Sequence, residues 1–140
     1  MIDQPLVEKK LALIETYVRE LESLARPEAV ADDVREARFI EYTLQIAIQA
    51  ALDIASHIVS EERLGEPETN ADLFTALAKD GWIAKDLLPK LRQMAGFRNI
   101  LVHGYAEVDV EIVRHAAESD VHDLTAFVAA VRGRLGRPGG

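Results

Sequence analysis

Near the start of the chain, apolar residues recur at intervals of three and four: Leu6, Leu13, Tyr17, Leu21 and Leu24, with Leu11, Ile14 and Val18 beside them. That interval is the repeat of a helix face, so the spacing predicts an amphipathic helix from about Pro5 to Ala25. Pro5 suits a first turn, where its missing N–H would have no partner. Arg26-Pro27 closes the run, because proline disfavours the helical conformation for the residue before it and can itself open the next helix. That second helix is expected to be the longest. Ala37, Ile40, Leu44, Ala47, Ala51, Ile54 and Ile58 keep the alternation unbroken, and the helix runs to about Leu64. Ile46, Ile48 and Leu52 fall off this stripe, so more than one face is apolar and must meet several neighbours or a partner chain. Small Ala47, Ala50, Ala51 and Ala55 permit close approach. Gln45, Gln49, Asp53 and His57 recur every four residues as a polar row that is either solvated or lines a cleft.

Gly65-Glu66-Pro67-Glu68-Thr69-Asn70 is a turn-rich connection, and Asn70 is placed to cap a short helix that ends near Lys79. Asp80-Gly81-Trp82 breaks the pattern. A fourth helix is expected from about Ile83 through Leu87, Leu88, Leu91, Met94 and Ala95, with Pro89 tolerated only in a first turn or at a kink and Gly104 as the stop. A last helix, or two halves of one, covers about Val110 to Leu135. It turns Ile112, Val113, Ala116, Val121, Leu124, Phe127, Val128 and Val131 inward, and residues 136–140 form a frayed tail. With no strand pattern and no internal repeat, the fold class is all-α. The architecture is a bundle of four long helices and one short one, forming a single domain over residues 1–135.

Composition sharpens this picture. A length of 140 residues suits one core, and 49% apolar with 6% aromatic residues means a core of Leu, Ile, Val and Ala, which favours helix packing over stacked sheets. The absence of cysteine excludes disulfides, thiolate zinc sites and thiol nucleophiles, and fits a reducing cytoplasm. The N-terminus has neither a basic start nor an apolar signal core, and no apolar run reaches the roughly 18 residues of a membrane span. A net charge of −8 argues against a nucleic-acid partner, since phosphate binding is driven largely by Lys and Arg. Between Lys79 and Arg98, however, five cations outweigh Asp80 and Asp86, leaving a small basic zone of local charge +3.

That zone leads into Arg98-Asn99-Ile100-Leu101-Val102-His103-Gly104-Tyr105, which places a guanidinium, a carboxamide, an imidazole and a phenol around a short apolar run. Arg can grip a phosphate through two parallel hydrogen bonds, and His can both take and give a proton near neutrality. RNA cleavage needs both abilities: the 2′-hydroxyl loses a proton, the leaving 5′-oxygen gains one, and the phosphorane needs positive charge beside it. On an ideal helix Asn99 and His103 share a face, but Arg98 and His103 stand about 140° apart. A distorted helix before Gly104, a two-fold pairing of chains, or both could unite them. His57, His115 and His122 lack partners at metal-ligand spacing, although His115 and His122 fall seven apart on one expected helix face. Trp82 reads as a core or hinge anchor rather than a stacking platform.

The stretch Arg98 to Tyr105 resembles the RxxxxHxY signature of the HepT branch of the HEPN superfamily, and Gln49-Ala50-Ala51-Leu52-Asp53-Ile54-Ala55-Ser56-His57-Ile58 is similar to that branch's second helix. With the helix order, the resemblance spans about Leu6 to Val131. It implies a HEPN-like homodimeric bundle acting as a metal-independent ribonuclease toxin without a cofactor. Arg98 and His103 would be catalytic, Asn99 a polar support, and transfer RNA the usual substrate class. It also implies a partner, a minimal nucleotidyltransferase antitoxin of the MntA type that transfers AMP to the motif tyrosine, here Tyr105. A non-catalytic HEPN dimer that binds a nucleotide or a nucleotidyltransferase is the competing reading, and an acidic helical interaction protein a third.

Overall fold

The computed structural model describes residues 1–103 and 109–136. Helix α1 (Gln4–Leu24) opens on Asp3, whose carboxylate accepts from the Leu6 N–H at 3.1 Å, with Pro5 in the first turn as expected. Its buried face is Val7, Leu11, Ile14, Val18 and Leu21. Leu6, Leu13 and Leu24 of the expected stripe face solvent instead. Two apolar stripes one residue apart are both compatible with the helical repeat, and only docking against a neighbour selects one.

The chain does not pass directly from Pro27 into the second helix. A single 3-10 turn at Pro27–Ala29 intervenes, and α2 (Val34–Glu61) starts where the Asp33 carboxylate accepts from the N–H groups of Arg35 and Glu36. Buried Glu36 reaches back to accept from the Arg26 N–H at 2.7 Å, fixing the connection. The helix stops at Glu61 rather than Leu64, just before the chain takes positive φ at Arg63 and Gly65. Helix α2 is the central rod of the bundle. Its stripe Ile40, Leu44, Ala47, Ala51, Ile54 and Ile58 is fully buried, and off-stripe Ile48 and Leu52 are buried as well. Packing against helices before and after it in the chain covers Ile48 and Leu52, whereas Ile46 is half-buried and outside the core.

Helix α3 (Asn70–Lys79) is capped by Thr69, not Asn70: Thr69 has extended backbone and its hydroxyl accepts from the Asp72 N–H at 3.2 Å. Helix α4 (Leu88–His103) begins later than Ile83, because Trp82 and Ile83 are buried as the anchor of the preceding turn. Pro89 therefore falls in the first turn, where it breaks no helical hydrogen bond. The C-terminal rod takes the form of two halves, α5 (Val110–His115) and α6 (Val121–Leu135), joined by a π-helical turn at Ala116–Asp120. Ile112, expected inside, is 49% exposed.

Helices α1, α3, α4 and α6 surround α2, and buried residues from Val7 to Val131 form one connected core. Phe74 and Phe127 meet edge to face at its centre, 5.7 Å apart. Arginines tie the C-terminal rod down. Arg114 donates to the carbonyls of Pro27 and Glu28, Arg132 to Glu8 and Glu15, and Arg134 to the Asp80 carbonyl while lying over the Trp82 ring at 4.6 Å. Gly81 turns this corner with φ +81°, a conformation that disfavours any side chain. The fold is all-α: among the described residues there is no strand, and no helix is long and apolar enough to cross a membrane. Of the expected tail, all but Gly136 lies outside the described residues.

Candidate active site

The motif occupies the last turns of α4, which Leu91, Met94, Ala95 and Phe97 anchor in the core. Arg98 and Asn99 follow directly and are half-buried, while His103 is exposed as the last residue of the helix. Neighbouring residues on a helix diverge by about 100°, yet the Arg98 side chain folds back so that Nη1 donates to Asn99 Oδ1 at 3.1 Å. Asn99 thus holds one arm of the guanidinium. Arg98 Nε is buried with no hydrogen-bond partner among the described residues, an arrangement that costs about 1–3 kcal/mol unless an acceptor is supplied. Helix α4 remains α-helical through His103, with no 3-10 or π turn to rotate His103 toward Arg98. Within the described residues, then, no helical distortion unites the two side chains. Gly104 and Tyr105 lie outside the described residues.

The basic zone ahead of the motif is weaker than its sequence suggests. Lys90 pairs with Asp123 at 3.8 Å, and Arg92 pairs with Asp72 at 3.0 Å while also donating to Thr75. Carboxylates from α3 and α6 therefore cancel two of the five cations, and Arg98 is the cation of that zone nearest His103 along the chain.

The polar row of α2 is not simply solvated. It is half-buried and faces the start of α1: His57 Nε2 accepts from the Asp3 N–H at 2.9 Å, and Asp53 accepts from Lys10 and Gln49. Through this contact His57 ties α2 to the N-terminus of α1, a structural role.

His115 and His122 do not share a face. The π turn adds a residue without adding a turn, which shifts the phase between them. The same turn aligns His115 with Asp120, five residues on, so that Nε2 lies 3.3 Å from Oδ1. Burial pushes the Asp120 carboxyl above the usual carboxylate range, His115 and Lys90 work against this, and Asp123 adds to it. This pair flanks a groove of about 440 Å³ between α4 and the C-terminal rod, lined by Gln93, Met94, Phe97, Glu111, Ile112, His115 and Asp120. Period counting could not find it, because the pairing depends on a helix type that the count does not assume. Among the described residues no group of three or more His, Asp or Glu is arranged to hold a metal ion.

The all-α bundle matches what comparison with known proteins finds. The chain is 37% identical over 89 residues to an mRNA nuclease HepT of Shewanella oneidensis, covering 64% of this chain and 67% of that one. To a tRNA nuclease HepT of Aphanizomenon flos-aquae it is 30% identical over 139 residues, 96% of this chain and 92% of the other. Among solved structures, a tri-AMPylated Shewanella oneidensis HEPN toxin in complex with an MNT antitoxin superposes with a TM-score of 0.84 at 29% identity, covering 95% of this chain and 99% of that one. A toxin–antitoxin structure with AMP-PNP gives a TM-score of 0.86 at 28% identity over 92% and 98% of the two chains. The profile described as ribonuclease HepT-like matches residues 14–131, most of the described bundle and the whole of the motif, and the chain belongs to that family.

Proposed function

We propose that this chain is a metal-independent endoribonuclease toxin, with Arg98 and His103 as its catalytic residues and Asn99 as the group that positions Arg98. The observation that carries the reading is the Arg98 guanidinium, held on one side by Asn99 and short of an acceptor at Nε. A bridging phosphate of RNA supplies that acceptor and gains the charge it needs as the phosphorane forms. His103 stands exposed at the C-terminus of α4. As a base it takes the 2′-hydroxyl proton; O2′ bonds to phosphorus, the P–O5′ bond breaks, and O5′ receives a proton from an imidazolium. The products are a 2′,3′-cyclic phosphate and a 5′-hydroxyl, with no net change in protons. Because α4 is regular through His103, the two side chains meet most directly across a two-fold axis, Arg98 of one chain beside His103 of its twin.

Transfer RNA is the proposed substrate, since the relative named for tRNA spans 96% of this chain and the one named for mRNA 64%. The proposed partner is a nucleotidyltransferase antitoxin of the MntA type, supported by the AMPylated HEPN toxin solved with its MNT antitoxin. Its target here is Tyr105, where an added AMP would bring a phosphate toward Arg98 and a bulky base into the path of the substrate.

The test is cleavage of a transfer-RNA pool by the purified chain and by Arg98→Ala and His103→Ala. Each substitution should lower the rate about a hundredfold or more while leaving thermal unfolding nearly unchanged, and EDTA should have no effect. Undiminished cleavage by a folded His103→Ala protein, or a strict magnesium requirement, would overturn the assignment.

A further inference from the structure

The groove beside α4 has no part in the chemistry just described, yet it lies against the same stretch of helix. Met94 and Phe97 form its floor, and Met94 is one helical turn before Arg98, on the same face. Its volume of about 440 Å³ falls within the range of small-molecule sites, roughly 300–1,000 Å³. Ile112, 49% exposed, offers an apolar wall across from that floor. Glu111 and Asp120 contribute carboxylates to the polar rim, with Arg114 3.6 Å from Glu111 and His115 3.3 Å from Asp120.

Carboxylates at the rim disfavour phosphate, so the groove does not extend the backbone track of a nucleic acid. An apolar floor with acceptor groups at its edge suits an uncharged aromatic ring that carries N–H donors. Carboxylates only accept, and they take two adjacent donors at once. Among the RNA bases, guanine presents such a pair, N1–H beside its 2-amino group. The exposed imidazole of His115 and the carboxamide of Gln93 can serve the remaining edge.

We propose that this groove is a nucleobase subsite, selective for guanine, which seats a base of the RNA strand whose phosphate lies on Arg98. The proposal deepens the nuclease reading, and it rests on that reading only for the part played by Arg98.

Two measurements on the full chain test it. In the first, the methyl resonances of Met94 and Ile112 are followed by NMR during titration with guanosine, adenosine, cytidine, uridine and inorganic phosphate. Guanosine should move both methyls at about tenfold lower concentration than the other nucleosides, as expected for one good bidentate contact, and phosphate should move neither. In the second, cleavage ends are mapped in RNA of random sequence. Guanine should be enriched at one fixed position beside the cut, and Asp120→Asn, which turns an acceptor pair into an acceptor and a donor, should cut that enrichment about tenfold. Gln93→Ala, on an exposed helix surface, is the second variant and should reduce it less. If the chain cleaves no RNA but guanosine still shifts Ile112, the nuclease reading falls and the subsite stands. Cleavage without guanine bias, together with no nucleoside response, overturns the subsite and leaves the nuclease. The subsite is also overturned if Ile112→Glu splits a dimer and the methyls ignore every nucleoside, because a second copy of the chain then fills the groove.

Discussion

Arg98 combines two properties that are rarely found together, a half-buried charge and a buried donor without an acceptor among the described residues. A charge used only for solubility would stay in water. The contact from Asn99 removes rotamer freedom from the guanidinium, which in the proposed site would lower the cost of gripping a phosphate in one orientation. Arg98→Lys keeps the charge but loses the planar fork, so cleavage should fall by at least about tenfold with little change in unfolding temperature. Steady-state kinetics beside calorimetry checks this, and a fully active lysine variant would mean that Arg98 acts as a point charge. Tyr105→Phe should fold and cleave RNA but escape silencing when co-expressed with the proposed nucleotidyltransferase partner. Intact-mass measurement should find AMP increments on the parent chain and not on the variant.

At the scale of elements, the C-terminal rod is held by arginines that reach the N-terminal half. Arg132 bridges α6 to α1, with Nη2 at 3.1 Å from Glu8 and 3.0 Å from Glu15. Its hydrogen bond and charge hold the Glu15 carboxyl below the usual carboxylate range, although partial burial opposes this. The bridge therefore stabilises the fold above the unfolded carboxylate value, and that share is lost as pH falls through the lowered folded value. All three side chains are more than a third exposed, so after screening Arg132→Ala should cost only about 0.5–1 kcal/mol at pH 7. The gap between variant and parent should close as pH falls below the ordinary carboxylate range, as measured by denaturant unfolding. A constant gap across that range would assign the effect to lost packing of the arginine stem.

The whole molecule leaves apolar side chains uncovered around the motif: Ile100 at 43% exposure and Val102 at 40%, on the same helix as Arg98 and His103. A two-fold pairing through this region buries them and supplies the second chain that the proposed site needs. Light scattering should give about twice the 15.5 kDa chain mass. Ile100→Glu, at a position 43% exposed in the isolated fold, should yield monomers and remove cleavage together. A monomeric variant with full activity would place Arg98 and His103 of one chain in the same site.

Helix existence and type were legible from spacing alone, because a 3.6-residue repeat of buried positions is a local property of the chain. The motif was legible too, since its residue types and order are fixed whatever surrounds them. What spacing could not decide was phase and partnership. The stripe buried on α1 follows from docking against α2, the start of α4 from Trp82 and Ile83 being drawn into the core, and the fate of the polar row from the approach of the α1 N-terminus to His57. The weakening of the basic zone follows from Asp72 and Asp123, carboxylates distant in sequence that lie beside Arg92 and Lys90 only once the helices pack. The His115–Asp120 pair depends on a π turn that lies between two α-helical halves, a conformation stabilised by the packing of both halves rather than by its own residues. Local repeats thus determined which elements form, whereas contacts between distant segments decided which faces, charges and side chains those elements present.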